Sequence, residues 1–262
     1  MKIAHECPLS IFDRVQAVTD YDYALVHLFE ENEEYLEKFI EAKKKGREVL
    51  LDNSIFELGE AFNGDIYAEW VDYLKPDWYI VPDVLDNAAA TIDSFDRFIA
   101  TYPDLPGKVI AVAQGSTYSE LVTCYRYLAY HPRVEKVAIS FNHPFYQDTE
   151  TGANKYVKMM NGRQNTLYKM MTTDIINTNK PHHLLGCGLP QEFRGYKHIS
   201  YKWIDSLDTS NPVIHGMKGI RYYDYGLSDK ESVKLFTLIN EDVVDSWVDI
   251  EYNIRKFREM CT

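Results

Sequence analysis

The chain has 262 residues, 45% of them hydrophobic, enough to bury the core of one large α/β domain. Its 28 Lys and Arg against 40 Asp and Glu give a formal charge of -12, which excludes a long electropositive track and confines any nucleic-acid contact to a local patch. The four cysteines, Cys7, Cys124, Cys187 and Cys261, include no C-x-x-C pair and spell neither a zinc site nor a disulfide framework, and no apolar run has the length of a signal peptide or a membrane span, so a cytoplasmic protein is expected.

In chain order, short apolar runs alternate with amphipathic stretches. A weak opening strand is predicted over 3–5, followed by strands over 23–29, 48–51, 78–81, 109–113, 136–140, 183–186 and 202–204, each reading as a buried parallel strand. Helical patterns occupy 33–45, 88–100, 119–130 and 166–176. The segment 145–164, rich in Asn, Gly, Thr and Tyr, reads as a long insertion over the strand ends, either a lid or an ordinary surface loop. No repeat or linker divides the chain, so 1–262 is expected to be one domain: a single (β/α)8 barrel with a short C-terminal helical tail, although an open doubly wound sheet has the same alternation. The 20 Tyr and 12 Phe suit an aromatic helix layer, with base stacking as their second use.

In a closed barrel the chemistry sits at the carboxyl ends of the strands. Here those ends are polar: Asp52-Asn53-Ser54, Pro82-Asp83, Gln114-Gly115-Ser116, Ser140-Phe141-Asn142-His143, Gly186-Cys187-Gly188 and Asp205-Ser206. Any one Asp in such a place also serves as a helix N-cap. Several carboxylates at one mouth repel one another unless a ligand or paired donors offset them, which points to function. Two of them can divide glycosidic chemistry, one attacking the anomeric carbon as the other handles a proton. A carboxylate such as Asp83 suits the N1-H and N2-H₂ donors of guanine, an amide such as Gln114 its O6, and Phe56 with Leu185 can sandwich a flat ring. The same residue types would also hold a sugar or a small keto-acid.

The segments Leu51-Asp52-Asn53-Ser54-Ile55-Phe56-Glu57, Val81-Pro82-Asp83, Ile110-Ala111-Val112-Ala113-Gln114-Gly115, His183-Leu184-Leu185-Gly186-Cys187-Gly188-Leu189-Pro190 and Trp203-Ile204-Asp205-Ser206 resemble, in order and spacing, the motifs of the tRNA-guanine transglycosylase superfamily. The resemblance covers about 48–210. It implies Asp52 as general acid/base, Phe56 as the stacking aromatic, Asp83 and Gln114 with Gly115 as base readers, Leu185-Gly186 as the wall against the base, and Asp205 as covalent nucleophile. Asp208, three residues on, is the rival nucleophile. Asn53 and Asn142 join the implied substrate contacts.

The departures are equally specific. Ser54 and Ile55 replace the two glycines of the family's D-S-G-G turn, and the C-x-C-x-x-C zinc site of the tRNA enzymes has no counterpart, so no zinc subdomain and no metal are expected. With the charge of -12, this makes the chain more similar to the short branch, bacterial or phage-borne, that inserts deazaguanines into DNA. The implied activity is exchange of guanine for a 7-deazaguanine in a nucleic acid, DNA before tRNA, with no cofactor, in the cytoplasm of the host if the protein is phage-encoded. The other readings are a tRNA enzyme, an unrelated barrel glycosidase or lyase, and a non-catalytic binding subunit; a homodimer is left open. The segment 215–223 carries Lys218 and Arg221 among glycines and tyrosines, and reads either as a phosphate-contacting loop beside the mouth or as a solvated loop. Lys155, Lys158 and Arg163 are the next cations expected near the polymer.

Overall fold

A computed structural model describes residues 1–231 and 233–262. Eight strands form one all-parallel sheet: β1 (Lys2–Ala4), β2 (Asp22–Leu25), β3 (Val49–Asp52), β4 (Trp78–Ile80), β5 (Lys108–Ala113), β6 (Lys136–Ser140), β7 (His182–Leu185) and β8 (Ile204–Asp208). Their order is β1-β8-β7-β6-β5-β4-β3-β2, so the chain curls through a nearly closed (β/α)8 barrel of the TIM type. The seam lies between β1 and β2, which share no ladder among the described residues. It is tied instead by Asp20, whose carboxylate accepts the Ile3 N–H at 2.8 Å and whose own N–H donates to Ile3 O at 2.9 Å, and by the Tyr21 hydroxyl on Leu207 O at 2.7 Å.

The helices are α1 (Phe12–Gln16), α2 (His27–Glu31), α3 (Glu33–Lys44), α4 (Ile55–Leu58), α5 (Gly64–Leu74), α6 (Ala88–Thr101), α7 (Tyr118–Tyr130), α8 (Pro144–Thr149), α9 (Lys155–Thr172), α10 (Asn211–Met217) and α11 (Trp247–Cys261). Side-chain caps start α3, α5, α6, α7 and α9, where Asn32, Asn63, Asn87, Thr117 and Asn154 each accept a first-turn N–H. Each then buries an apolar stripe against the sheet, as with Leu121, Cys124, Tyr125 and Leu128 of α7. The tail helix α11 packs on α10 through Ile250, Asn253, Ile254 and Phe257.

Three expectations are corrected here. The run 23–29 is not one strand: β2 stops at Leu25 and α2 begins at His27, because Asp22, Tyr23 and Ala24 pair with β3 whereas His27, Leu28 and Phe29 pack as one helical turn. The segment 145–164 is not a loop, since α8 and α9 fill it and the helix predicted over 166–176 starts eleven residues earlier, at the Asn154 cap. The last strand is not 202–204 but Ile204–Asp208, whose register on β1 sets Lys2 opposite Ser206 and Ala4 opposite Asp208.

Arg163 of α9 shows why that helix docks where it does. Its guanidinium is fully buried, bonded to both oxygens of Glu192 at 2.6 and 3.1 Å and donating to the carbonyls of Leu185 and Gly186 at 2.9 and 3.0 Å. A buried charge pair stabilises only while both partners remain. Arg163→Met should therefore cost about 3–5 kcal/mol in urea unfolding, by stranding the Glu192 carboxylate. The double variant Arg163→Met/Glu192→Leu should recover most of that loss; no recovery would place the cost in packing rather than charge.

Candidate active site

The carboxyl ends of the strands surround a cavity of about 110 Å³. Five acids line it, Glu6, Asp52, Glu57, Asp83 and Asp208, together with two cations, Lys230 and Lys234. The apolar lining comes from Phe56, Leu85, Phe141, Leu185 and neighbouring strand residues.

Asp52 is the last residue of β3 and opens a tight Asp-Asn-Ser turn. Its Oδ1 accepts the Ser54 N–H at 2.5 Å, and Asn53 Oδ1 accepts the Ile55 N–H at 3.0 Å, so the side chains of the turn cap α4. Ser54 holds φ +60°, the left-handed conformation that glycine adopts most readily, and keeps it because its N–H is bound to Asp52 and its hydroxyl accepts the His27 N–H at 3.3 Å. A serine is thus held in a backbone conformation that glycine adopts without steric cost. Asp52 Oδ2 takes the Tyr23 hydroxyl. Burial, then the charge of Glu57, drives the Asp52 carboxyl well above the usual carboxylate range, against the bonds from Tyr23 and Ser54. That direction suits a group that takes up and gives back a proton.

The opposite wall is a carboxylate held by two amides. Asp83 Oδ1 accepts Asn53 Nδ2 at 2.7 Å and its Oδ2 accepts Gln114 Nε2 at 2.7 Å. Asn53 also donates to Val81 O at 3.1 Å, which spends both of its donors and makes it a support for Asp83 while it lines the cavity. Gln114 Oε1 accepts the Asp86 N–H at 3.2 Å, leaving one amide hydrogen free. Asp83 retains unused lone pairs, and both Asp83 and Gln114 line the cavity.

Asp208 closes β8. Its Oδ1 accepts from His183 Nε2 at 3.0 Å and more weakly from the Gly186 N–H at 3.3 Å. Gly186 has φ +64°, and a Cβ there would meet the Phe141 ring at 2.5 Å, so glycine is required for this loop to lie against the cavity.

Asp205 is displaced from the predicted site. It is the second residue of β8, at the amino end of the barrel, where it pairs with Lys136 at 2.6 Å and does not line the cavity. The apolar pair Trp203-Ile204 reads as a strand ending at 204, but Ser206 and Asp208 face the barrel interior and find partners there, so the strand continues through them. Gly115 is also away from the cavity: it lies under the first turn of α7, where a Cβ would sit 2.3 Å from Leu121 N. Asn142 yields its place to Ser140 and Phe141. Lys218 and Arg221 follow α10 as it runs back from the strand ends, and pair with Glu231 and Asp249 at 2.5 Å each, neither lining the cavity. Lys155 lies over the Tyr156 ring, Lys158 bonds to Gln147 O at 3.3 Å, and Arg163 is buried, and none of the three lines the cavity. Phe56 and Leu185 do face the cavity, Phe56 tilted against Phe141 at 5.8 Å.

Sequence reasoning missed Glu6, Glu57, His183, Lys230 and Lys234. Glu6 directly follows the predicted 3–5 strand, so the rule applied to the other strands would have found it. His183, a polar residue inside an apolar strand, was a usable signal as well. Lys230 and Lys234 come from an aperiodic segment with no such mark. Lys230 donates to Cys187 O at 2.7 Å, and Lys234 to Glu57 O and Phe56 O at 2.8 and 3.3 Å, so this segment spans the cavity from the β7 end to α4. Neither a protein-family model nor a curated protein sequence matches the chain.

Burial, together with the charge of Asp208, raises the Glu57 carboxyl from 4.5 to about 7, although Lys234 opposes the shift. The fold therefore disfavours ionised Glu57, and stability is lost as pH rises from about 4.5 through about 7. Glu57→Gln removes this penalty and should unfold later than the wild type above pH 7, by on the order of 2 kcal/mol, with the gap closing below pH 5. Parallel denaturation curves across that range measure the difference; a gap independent of pH would reassign the effect to packing.

Proposed function

We propose that the protein is a guanine-exchange transglycosylase, in which Asp208 is the nucleophile and Asp52 the general acid and base. The observation that carries this reading is the pairing, across one cavity, of a protonatable Asp52 and a donor-held Asp208 with the Asn53-Asp83-Gln114 edge. The resemblance to the superfamily supports it, with the nucleophile moved from Asp205 to Asp208. A guanine hydrogen-bonded to Asp83 and Gln114 would be flanked by Phe56 on one side and Leu185 on the other. The Asp208 carboxylate attacks C1′ of the flipped nucleotide, and the C1′–N9 electrons leave with guanine as Asp52 gives its proton to the ring. An incoming 7-deazaguanine then returns an N–H proton to Asp52 and forms the new bond to C1′, which frees Asp208.

The polymer in this reading is DNA, with tRNA as the comparison. In so acidic a chain its phosphates need local cations, and the two at the cavity rim are Lys230 and Lys234 rather than Lys218 and Arg221.

Incubation with labelled guanine and either DNA or tRNA tests the reading. Label should enter one polymer, and denaturing gels should trap a protein-nucleic acid adduct in wild type and in Asp205→Asn but not in Asp208→Asn. An adduct lost in Asp205→Asn and kept in Asp208→Asn would restore Asp205, and base release without exchange would make the protein a glycosidase. Asp83→Ala should weaken binding of free guanine roughly 10- to 100-fold, since each stranded donor costs about 1–3 kcal/mol. Equal affinity would remove Asp83 from base reading.

Lys230→Gln and Lys234→Gln should weaken polymer binding to a similar degree on every sequence and lower the slope of log affinity against log salt by about one per lost phosphate contact. Lys218→Ala/Arg221→Ala should leave that slope in place. The opposite pattern in salt titrations would return the anchor to the 215–223 segment.

A further inference from the structure

A chain of hydrogen bonds runs through the barrel interior from its amino end to the cavity. Lys136, at the start of β6, is buried under Trp78, its Nζ 4.0 Å from the ring. It reaches Asp205 Oδ2 at 2.6 Å and Ser206 Oγ at 3.1 Å. Ser206 Oγ is 2.9 Å from His183 Nδ1, and His183 Nε2 is 3.0 Å from Asp208 Oδ1. The Tyr23 ring stacks on His183 at 6.2 Å and 14° and bonds to Asp52 through its hydroxyl, so the imidazole that bonds Asp208 also packs on the tyrosine that bonds Asp52.

The direction of this chain follows from its first member. An ammonium donates and never accepts. Lys136 therefore supplies hydrogens to Asp205 and to the Ser206 oxygen, and His183 Nδ1 is the one acceptor that the Ser206 hydroxyl hydrogen meets among the described residues. Burial keeps the His183 imidazole below its ordinary range, against the bond and charge of Asp208, so it is neutral and has one N–H. With Nδ1 accepting, that N–H is at Nε2 and points at Asp208.

We infer that Lys136 and Ser206 are positioning residues, which from the far end of the barrel set the tautomer of His183 so that its Nε2–H is donated to Asp208 and keeps that side chain aimed at the cavity. The catalytic meaning rests on Asp208 being the nucleophile; the tautomer does not. Lys136, Ser206 and His183 do not line the cavity, so they act through Asp208 rather than on substrate.

Nitrogen-15 NMR of the imidazoles in the full chain, with His183 assigned from His183→Gln, tests the inference without any substrate. Wild-type His183 should be the Nε2–H tautomer. Asp208→Asn should keep it, because an amide can turn to accept or donate and Ser206 still dictates the proton. Asp208→Asn/Ser206→Ala should show a mixture, and Asp208→Asn/Ser206→Thr should restore one form. A wild-type Nδ1–H or doubly protonated ring, or an unchanged tautomer in Asp208→Asn/Ser206→Ala, would overturn it. In the adduct assay Ser206→Ala should slow the first turnover about 10-fold with guanine affinity unchanged, and Ser206→Thr should recover it. An undiminished rate in Ser206→Ala would remove the catalytic part. If the wild type forms no adduct with DNA or tRNA, the exchange reading falls while the NMR result stands on its own.

Discussion

The interior of an eight-stranded barrel is filled by side chains, so a polar group that points inward must bond to another polar group that also points inward. Lys136, Ser206, His183 and Asp208 meet this demand from three strands, β6, β8 and β7, and do so as one continuous series. Breaking it anywhere would leave a buried donor or acceptor unpaired, at about 1–3 kcal/mol for a neutral group and more for the ammonium. The same demand carries β8 past Ser206 to Asp208 and delivers a carboxylate to the cavity.

Electrostatics at the mouth follow from where each carboxylate finds its donors. Asp208 has an imidazole and a backbone N–H, whereas burial and the charges of Glu57, Asp208 and Asp52 push Glu6 far upward. Asp83 and Asp52 lie between these cases, each with two donors that burial overrides. One cavity thus holds acids poised to be protonated beside acids held by donors, which is the separation that acid–base work requires. Lys230 and Lys234 temper the negative field while spending bonds on the backbone carbonyls of Cys187, Phe56 and Glu57.

The supports of the cavity lie one layer behind it. Arg163 and Glu192 fix the Leu185-Gly186 carbonyls, Asn53 fixes Asp83, and the left-handed Ser54 fixes the turn from which Asp52 projects. Each uses a charge or a full set of hydrogen bonds to hold a backbone conformation, so the wall is preorganised on strand ends and not on a freely moving loop.

The alternation of apolar runs and amphipathic stretches determined a parallel α/β sheet, because strands buried on both faces must be apolar and their crossover helices must be striped, whereas the strand order alone decided that the sheet curls into a barrel. Asp52, Asp83 and Gln114 were legible for the same reason: each stands where an apolar run stops. Tertiary structure alone decided that Asp208 lines the cavity and Asp205 does not, since a strand whose inward residues are polar loses the pattern that marks its end, and only the partners His183 and Lys136 on neighbouring strands reveal that it continues. It also decided that Lys230 and Lys234 reach the cavity and Lys218 and Arg221 do not, because the placement of an aperiodic segment depends on which carbonyls and carboxylates from distant parts of the chain its lysines meet, and no local pattern encodes that.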